Sequence, residues 1–524
     1  MPNRSSESVF LLIKSLEKSE KRNFKLYVNR NSSTANLKVI QLFDAIDKME
    51  EYDEVVLLKK NKSIKKEQLS NLKAHLTKLI LSSLRVIRHE DNITLQLHEQ
   101  MDFARILYNK GLYLQSLRIL EKTKELARAH QQITYLQQIL FFEKKIEALY
   151  ITRSMQDRAD QLTKESEEVT AKLSLISKLS NLSLQLYSWY IKHGVARNKK
   201  DEKDITDFFD KHLPDSPNHI RGFYECLYLY QSYCWFAFIR QDFLMYYRYS
   251  RKWVDLFEQE PGMIEVETAH FIKGMHNLMG ALFDLQNGSK LTAAIHTFEK
   301  LSKRKVVVQN DNHNLLCFQY LYLAKINLHF IEGTFSEGLH LIPHLEDRLT
   351  TYEPYLDRHR VLIFYYKIAC LYFGSGKYDK TIEYLNKIIN WKVDLRTDLQ
   401  CYARLLHLIA HYEMGNFDLL EYLIKSVYRF MSKMENLSVL EEEIFRFLRN
   451  SFHLSKRELP AAFEQLLKRI RKLEDSRFET RAFVYLDIIS WLESKIKNVP
   501  VQTIIQEKFK KRALTKNNKK QKPS

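Results

Sequence analysis

The sequence predicts an all-α protein built from stacked helical hairpins, and three observations predict it. Only 12 Gly and 9 Pro occur in 524 residues, so the chain lacks what strands spend on tight turns and bulges. Hydrophobic residues make up 45%, enough to build a core rather than leave the chain disordered. A short glycine–x–aromatic signal returns between stretches whose apolar residues recur at helical spacing.

The clearest unit starts at Tyr365, YYKIACLYFGSGKYDKTIEYLNKII. Ala369 and Tyr372 lie on its first helix, Gly376, Lys377 and Tyr378 form the turn, and Thr381, Leu385 and Ile388 follow on the second helix. Glycine lets the chain reverse between antiparallel helices, the aromatic plugs the base of the hairpin, and small residues allow close approach. The same register places Gly111, Tyr113, Ser116, Leu120 and Thr123 in one unit, Gly333, Phe335, Gly338, Ile342 and Leu345 in another, and Gly415, Phe417, Leu420, Ile424 and Val427 in a third. Gln241, Asp242 and Phe243 match without glycine, and Asn287 and Gly288 match with a lengthened turn. Weaker turns fall near Ser154, Asn198 and Ser455.

This pattern resembles the tetratricopeptide repeat. The resemblance implies a right-handed superhelical solenoid of antiparallel helix hairpins with a concave face that holds a partner. The turns recur about every 43 residues rather than about 34, so the helices are elongated; HEAT and armadillo arrays have that period but lack the glycine–x–aromatic turn. The array is expected over 91–475. Residues 1–90 read as a separate small helical unit, with Ser19 capping the helix of Glu20 to Tyr27 and NRNSSTAN (29–36) breaking the chain. Within it SLEKSEKRNFKLY, YDE and LSNLKAHL are similar to uncharacterised bacterial helical proteins, which supports the fold and names no activity. Residues 476–498 read as an amphipathic helix capping the stack, through Phe483, Leu486, Ile489, Trp491 and Ile496.

Net charge is +18, and eight of those charges lie from Lys508 onward in KFKKRALTKNNKKQKPS, leaving +10 for the body. Residues 508–524 are expected to be a disordered basic tail in which Lys508, Lys510, Lys511, Arg512, Lys516, Lys519 and Lys520 could meet a polyanion. Basic runs also occur at Lys59–Lys66, around Lys199, at Lys300–Lys305 and at Lys468–Lys472; a helix-turn-helix of Asp53–Lys60 and Lys66–Arg88 has too apolar a second helix to read DNA. Cys226, Cys234, Cys317, Cys370 and Cys401 sit in apolar stretches without paired spacing and read as reduced core thiols. The apolar run before Lys14 is too short for a secretory signal and no stretch suits a membrane span, so the expected location is cytoplasmic.

No phosphate loop, dinucleotide fingerprint or CxxC pair is present, and no cofactor or metal is expected. His340 with His344 and His407 with His411 stand at i, i+4, but neither pair has the intervening acid of a zinc helix. The most suggestive feature is aromatic. Tyr108, Phe238, Phe330, Phe373 and Tyr412 each stand three residues before a turn, and Tyr228, Trp235, Tyr320, Tyr366 and Tyr402 lie earlier in the array's first helices. These ten either pack the core or line a groove that grips an extended or helical peptide. The expected function is a non-enzymatic scaffold that binds another protein or peptide, the alternative being weak nucleic-acid association through the basic runs and tail.

Overall fold

The computed structural model describes residues 4–30, 34–61, 63–87, 92–149, 157–352, 355–391, 397–433, 439–451, 454–455, 457–473 and 487–520. All regular structure among them is helical, so the all-α expectation holds. The chain divides into two compact units, Met1–Ala171 and Lys172–Ser524.

The first unit opens with α1 (Arg4–Ser15), α2 (Lys18–Asn29), α3 (Thr34–Asp47), α4 (Glu54–Lys60) and α5 (Lys66–Ile87). Ile13, Phe24, Phe43, Ile46, Leu76 and Ile80 form their core, with the Phe24 and Phe43 rings 4.6 Å apart. The start of α2 differs from expectation: Ser19 lies inside the helix, and the Glu17 N–H donates to the Glu20 carboxylate at 3.0 Å. Asp53 caps α4 by accepting from the Val55 and Val56 N–H groups. Leu57 of α4 and Leu69 and Leu76 of α5 are spent on this core.

There follow α6 (Ile93–Asn109), α7 (Tyr113–Ala129), α8 (Ile133–Glu147) and the first part of α9 (Arg158–His193). Gly111 takes φ +76° at the expected turn, and the Leu112 N–H closes back on Leu107 O at 2.9 Å. The small residue Ser116 is fully buried and its hydroxyl donates to Ala104 O across the hairpin at 2.8 Å. A second turn of the same kind, with no glycine to announce it, puts Gln131 at φ +56°. Replacing Gln131 with glycine is expected to raise the unfolding free energy by about 0.5–1 kcal/mol, because a Cβ is disfavoured in the left-handed region. Denaturant unfolding checks this.

Across these helices runs a buried ionic network. Lys124 and Glu143 are each 1% exposed and joined at 2.7 Å. Arg158 lies 3.6 Å from Glu143 and 3.6 Å from Glu121, while Glu165 faces both Lys124 and Arg128. Three cations and three carboxylates thus cancel.

The second unit contains the rest of α9, then α10 (Lys199–His212), α11 (Phe223–Ile239), α12 (Phe243–Gln259), α13 (Met263–Val266), α14 (Thr268–Asp284), α15 (Gly288–Ser302), α16 (Lys305–Val308), α17 (Asp311–Glu332), α18 (Phe335–Gly338), α19 (Ile342–Tyr352), α20 (Arg358–Gly374), α21 (Tyr378–Ile389), α22 (Thr397–Glu413), α23 (Phe417–Lys433), α24 (Val439–Ser451), α25 (Leu459–Arg471), α26 (Ile488–Lys497) and α27 (Val501–Lys520). Packing follows chain order: α11 on α12, α12 on α14, α14 on α15 and α17, α17 on α20, α20 on α21 and α22, and so on to α26 on α27.

Gly333, Gly376 and Gly415 are left-handed, as the repeat pattern requires, and Gln241 takes the same conformation at φ +58°. The turn after α14 is a correction. Its left-handed residue is Gln286, so the loop is no longer than the others and Gly288 falls where the plugging aromatic stands elsewhere. A Cβ on Gly288 would meet Phe509 Cε2 at 2.9 Å: a ring from the last helix takes the space. Asn198 caps α10 through its side chain, whereas Ser154 lies outside the described residues.

The C-terminal region differs from expectation. Much of the expected capping segment lies outside the described residues, but α26 buries Trp491, whose Nε1–H donates to Glu413 at 2.6 Å. The chain then continues as α27 through most of the stretch expected to be a disordered tail. Val501, Ile504, Ile505 and Phe509 recur at helical spacing, and most of them precede the basic run. This helix reaches back across two turns: Gln506 Nε2 donates to Gly333 O at 3.1 Å and Arg512 to Gln286 Oε1 at 3.0 Å.

Candidate functional site

The pre-turn aromatics have a structural reason. Tyr108 pairs with Tyr113 at 5.5 Å, Phe330 with Phe335 at 5.6 Å, Phe373 with Tyr378 at 5.4 Å and Tyr412 with Phe417 at 5.9 Å. Each pair clamps a hairpin base across its turn. Phe373 and Tyr412 are buried, as are Tyr320 and Tyr366, while Tyr108, Tyr228, Trp235, Phe238, Phe330 and Tyr402 are half-buried. Tyr366 and Phe373 belong to the core, and Tyr402 packs against it. Tyr228 meets His270 edge-on at 6.0 Å, and Phe238 meets Tyr246 at 5.5 Å.

Trp235 and Tyr320 are brought together with residues that the sequence pattern did not single out. Five helices contribute to one row: Tyr187 from α9, Trp235 from α11, Lys273 and His276 from α14, Tyr320 from α17 and Arg360 from α20. The Tyr187 and Trp235 rings are 5.1 Å apart, and Lys273 Nζ stands 5.9 Å from the Trp235 ring. His276 stacks on Tyr320 at 3.9 Å and 11°, and the Arg360 guanidinium lies 5.5 Å from the same tyrosine ring. Lys273, His276 and Arg360 are half-buried and keep a solvent-accessible side, and Tyr187 is 43% exposed.

Electrostatics mark the row. Burial, then the neighbouring Arg360 charge, pull the Lys273 ammonium down to about 8. Burial holds His276 well below its ordinary value, with Arg360 and Lys273 adding repulsion, so the imidazole is neutral at pH 7. Burial raises the Tyr320 phenol, Arg360 opposing it.

A second row lies further along the same helix faces, seven residues beyond Tyr320 and Arg360 and eleven beyond Lys273. Asp284 is raised to about 7 by burial, with Lys367 countering. Lys367 donates to Asn327 Oδ1 at 2.8 Å and lies 4.9 Å from the Phe283 ring and 4.8 Å from the Phe330 ring. Nearby, the Tyr246 hydroxyl donates to Asn277 Oδ1 at 3.2 Å. The second row thus sets one acid within the field of one cation.

The expected polyanion residues are partly committed. Lys508 donates to Ser490 Oγ at 2.8 Å and pairs with Glu493 at 3.0 Å, and Arg512 is held by Gln286. Lys510 and Lys511 are exposed, and Lys516, Lys519 and Lys520 fall in the last turns of α27. Burial pulls His407 down to about 4, with His411 and Arg404 adding to it. Among the described residues no group of three or more His, Cys, Asp or Glu side chains is placed to hold a metal ion, and no helix is long and apolar enough to cross a membrane. The five cysteines are buried thiols outside any disulfide, and burial pushes the Cys234, Cys317 and Cys370 thiols up to about 12, where they are poor nucleophiles.

A cation row backed by aromatic rings can grip a ligand without reacting with it. Compared with known proteins, the chain matches no family model, no curated protein and no solved structure.

Proposed function

We propose that this chain is a binding scaffold of tetratricopeptide-like hairpins that holds an extended or helical segment of another protein along the face shared by α9, α11, α14, α17 and α20. The observation that carries the reading is the row from Tyr187 to Arg360, where aromatic and cationic side chains from five helices converge and keep one side open to water. Aromatic rings supply contact area at low entropic cost, and cations beside them supply orientation. On this reading the face is the concave wall of the array.

Site-specific photo-crosslinking tests it. A photoreactive side chain at Tyr187, in the row, is compared in cells with one at Tyr422, on α23 and 70% exposed. The expected result is a discrete adduct from Tyr187 whose crosslinked peptides map to one contiguous partner segment. Equal labelling from both positions, or none from Tyr187, ends the reading. The exposed lysines of the basic runs and of the tail support the nucleic-acid alternative, and adducts dominated by nucleic acid would favour it.

A further inference from the structure

We propose that Lys273, His276 and Arg360 form a receptor for a single carboxylate, so that the segment held on this face is an acidic peptide. The inference rests on the scaffold reading and names its ligand.

The first argument is the missing counter-charge. Four cations that leave the solvent elsewhere in this unit pair with a carboxylate: Arg240 with Glu202 at 2.8 Å, Lys325 with Glu299 at 2.7 Å, Lys495 with Glu413 at 2.8 Å and Lys508 with Glu493 at 3.0 Å. Lys273 and Arg360 are as secluded and have none among the described residues; they rest on the Trp235 and Tyr320 rings instead. Ring faces hold a cation in place without neutralising it. Two like charges drawn together in a partly dehydrated setting repel, and a negative ligand turns that repulsion into attraction.

The second argument is donor geometry. Arg360 offers a planar fork that suits a carboxylate, Lys273 a mobile ammonium, and His276 a ring edge with no hydrogen-bond partner among the described residues. The third is what surrounds the cluster. The adjoining row offers Asn277, Asn327 and the acid Asp284, with Lys367 already committed. Amides suit a peptide backbone, whereas the buried acid Asp284 offers the next phosphate of a nucleic-acid strand no counter-charge.

Proton linkage supplies an independent signature. The charged group facing Lys273 is Arg360 from α20, with His276 one turn on along its own helix and the Trp235 ring of α11 beside it. A bound carboxylate favours the charged amine, so the complex retains a proton that free Lys273 releases near pH 8. Affinity is therefore expected to fall as pH rises from 7 to 9.

The test uses the full chain and fluorescence anisotropy with three labelled probes: a peptide of repeated Glu-Ala-Leu, its Gln-Ala-Leu counterpart and a 16-nucleotide thymidylate strand. The glutamate peptide is expected to bind at least about tenfold tighter than the glutamine peptide, and K273M/R360M to erase that preference. Because the variant removes two repelling charges, its helicity and melting temperature are expected to be unchanged or raised, which separates ligand recognition from a packing role. As a second readout, the glutamate peptide should shield Lys273 from acylation in the wild-type chain. Equal binding of the two peptides, no binding of the glutamate peptide, or binding that survives the double substitution would overturn the receptor. Thymidylate binding that depends on Lys273 and Arg360 would overturn the peptide in favour of nucleic acid. A partner segment crosslinked at Tyr187 but free of acidic residues would sink the carboxylate receptor and leave the scaffold reading intact.

Discussion

Lys124→Met is expected to cost about 3–5 kcal/mol, because it leaves Glu143 charged, buried and short of its main counter-ion. Lys124 and Glu143 are both 1% exposed, and the 2.7 Å contact between them is the shortest bond that Glu143 makes in the network. Arg158 at 3.6 Å offers partial compensation. Burial already raises the Glu143 carboxyl above the usual carboxylate range, with Lys124 and Arg158 pulling it back. In the variant that opposition weakens, so the folded form binds a proton more readily than the unfolded chain. The folded state then gains on acidification, and the deficit should shrink as pH falls from about 7 to about 5. The double substitution K124M/E143L should recover most of the loss, since an apolar pair of similar volume removes both charges together. Urea unfolding of the three proteins at two pH values decides it; a single variant as stable as wild type would show that the network is solvated.

The legibility of this chain follows chemical type. Gly111, Gly333, Gly376 and Gly415 were readable because glycine followed by an aromatic has few other uses in a helical protein, and all four are left-handed. Gln131 and Gln286 adopt the same backbone without announcing it, so one turn was missed and another was displaced by two residues. The pre-turn aromatics recur at one repeat position, and the pairing of Tyr108 with Tyr113, Phe330 with Phe335, Phe373 with Tyr378 and Tyr412 with Phe417 across turns shows four of the ladder's members clamping hairpins. Lys273, His276 and Arg360 were unreadable for another reason. A lone cation in an apolar helix looks like one solvated position, and its meaning arises only when residues from α14 and α20 meet over a tyrosine of α17. The docking of α27 was hidden because half of its signal is an absent side chain at Gly288.

Gly333→Ala is expected to destabilise the second unit by about 2–5 kcal/mol, joining about 1–2 kcal/mol of left-handed strain to about 1–3 kcal/mol of steric conflict. The added methyl would stand 2.8 Å from Gln506 N and 2.9 Å from Gln502 O, both backbone atoms of α27 that cannot swing aside. Gly376→Ala is the internal control. Its φ of +78° is equivalent, yet nothing lies within 4 Å of the new carbon, so only the strain of about 1–2 kcal/mol is expected. Hydrogen exchange should show fast amide exchange over 501–512 in the first variant and native protection there in the second. Equal losses in both variants, with α27 still protected, would mean that the close approach at Gly333 carries no weight.

The ring of Phe509 at Gly288 has a consequence for biosynthesis. Gln286 and Arg512 are 226 positions apart, so at about 5–20 residues per second the ribosome needs on the order of 10–45 s to deliver the piece that seals that turn. Throughout this interval the nascent hairpin carries an unfilled apolar notch. A chain stopped ahead of Phe509 would carry the hairpins that precede it with no seal at Gly288, which the cell's proteases could tell apart from the sealed form.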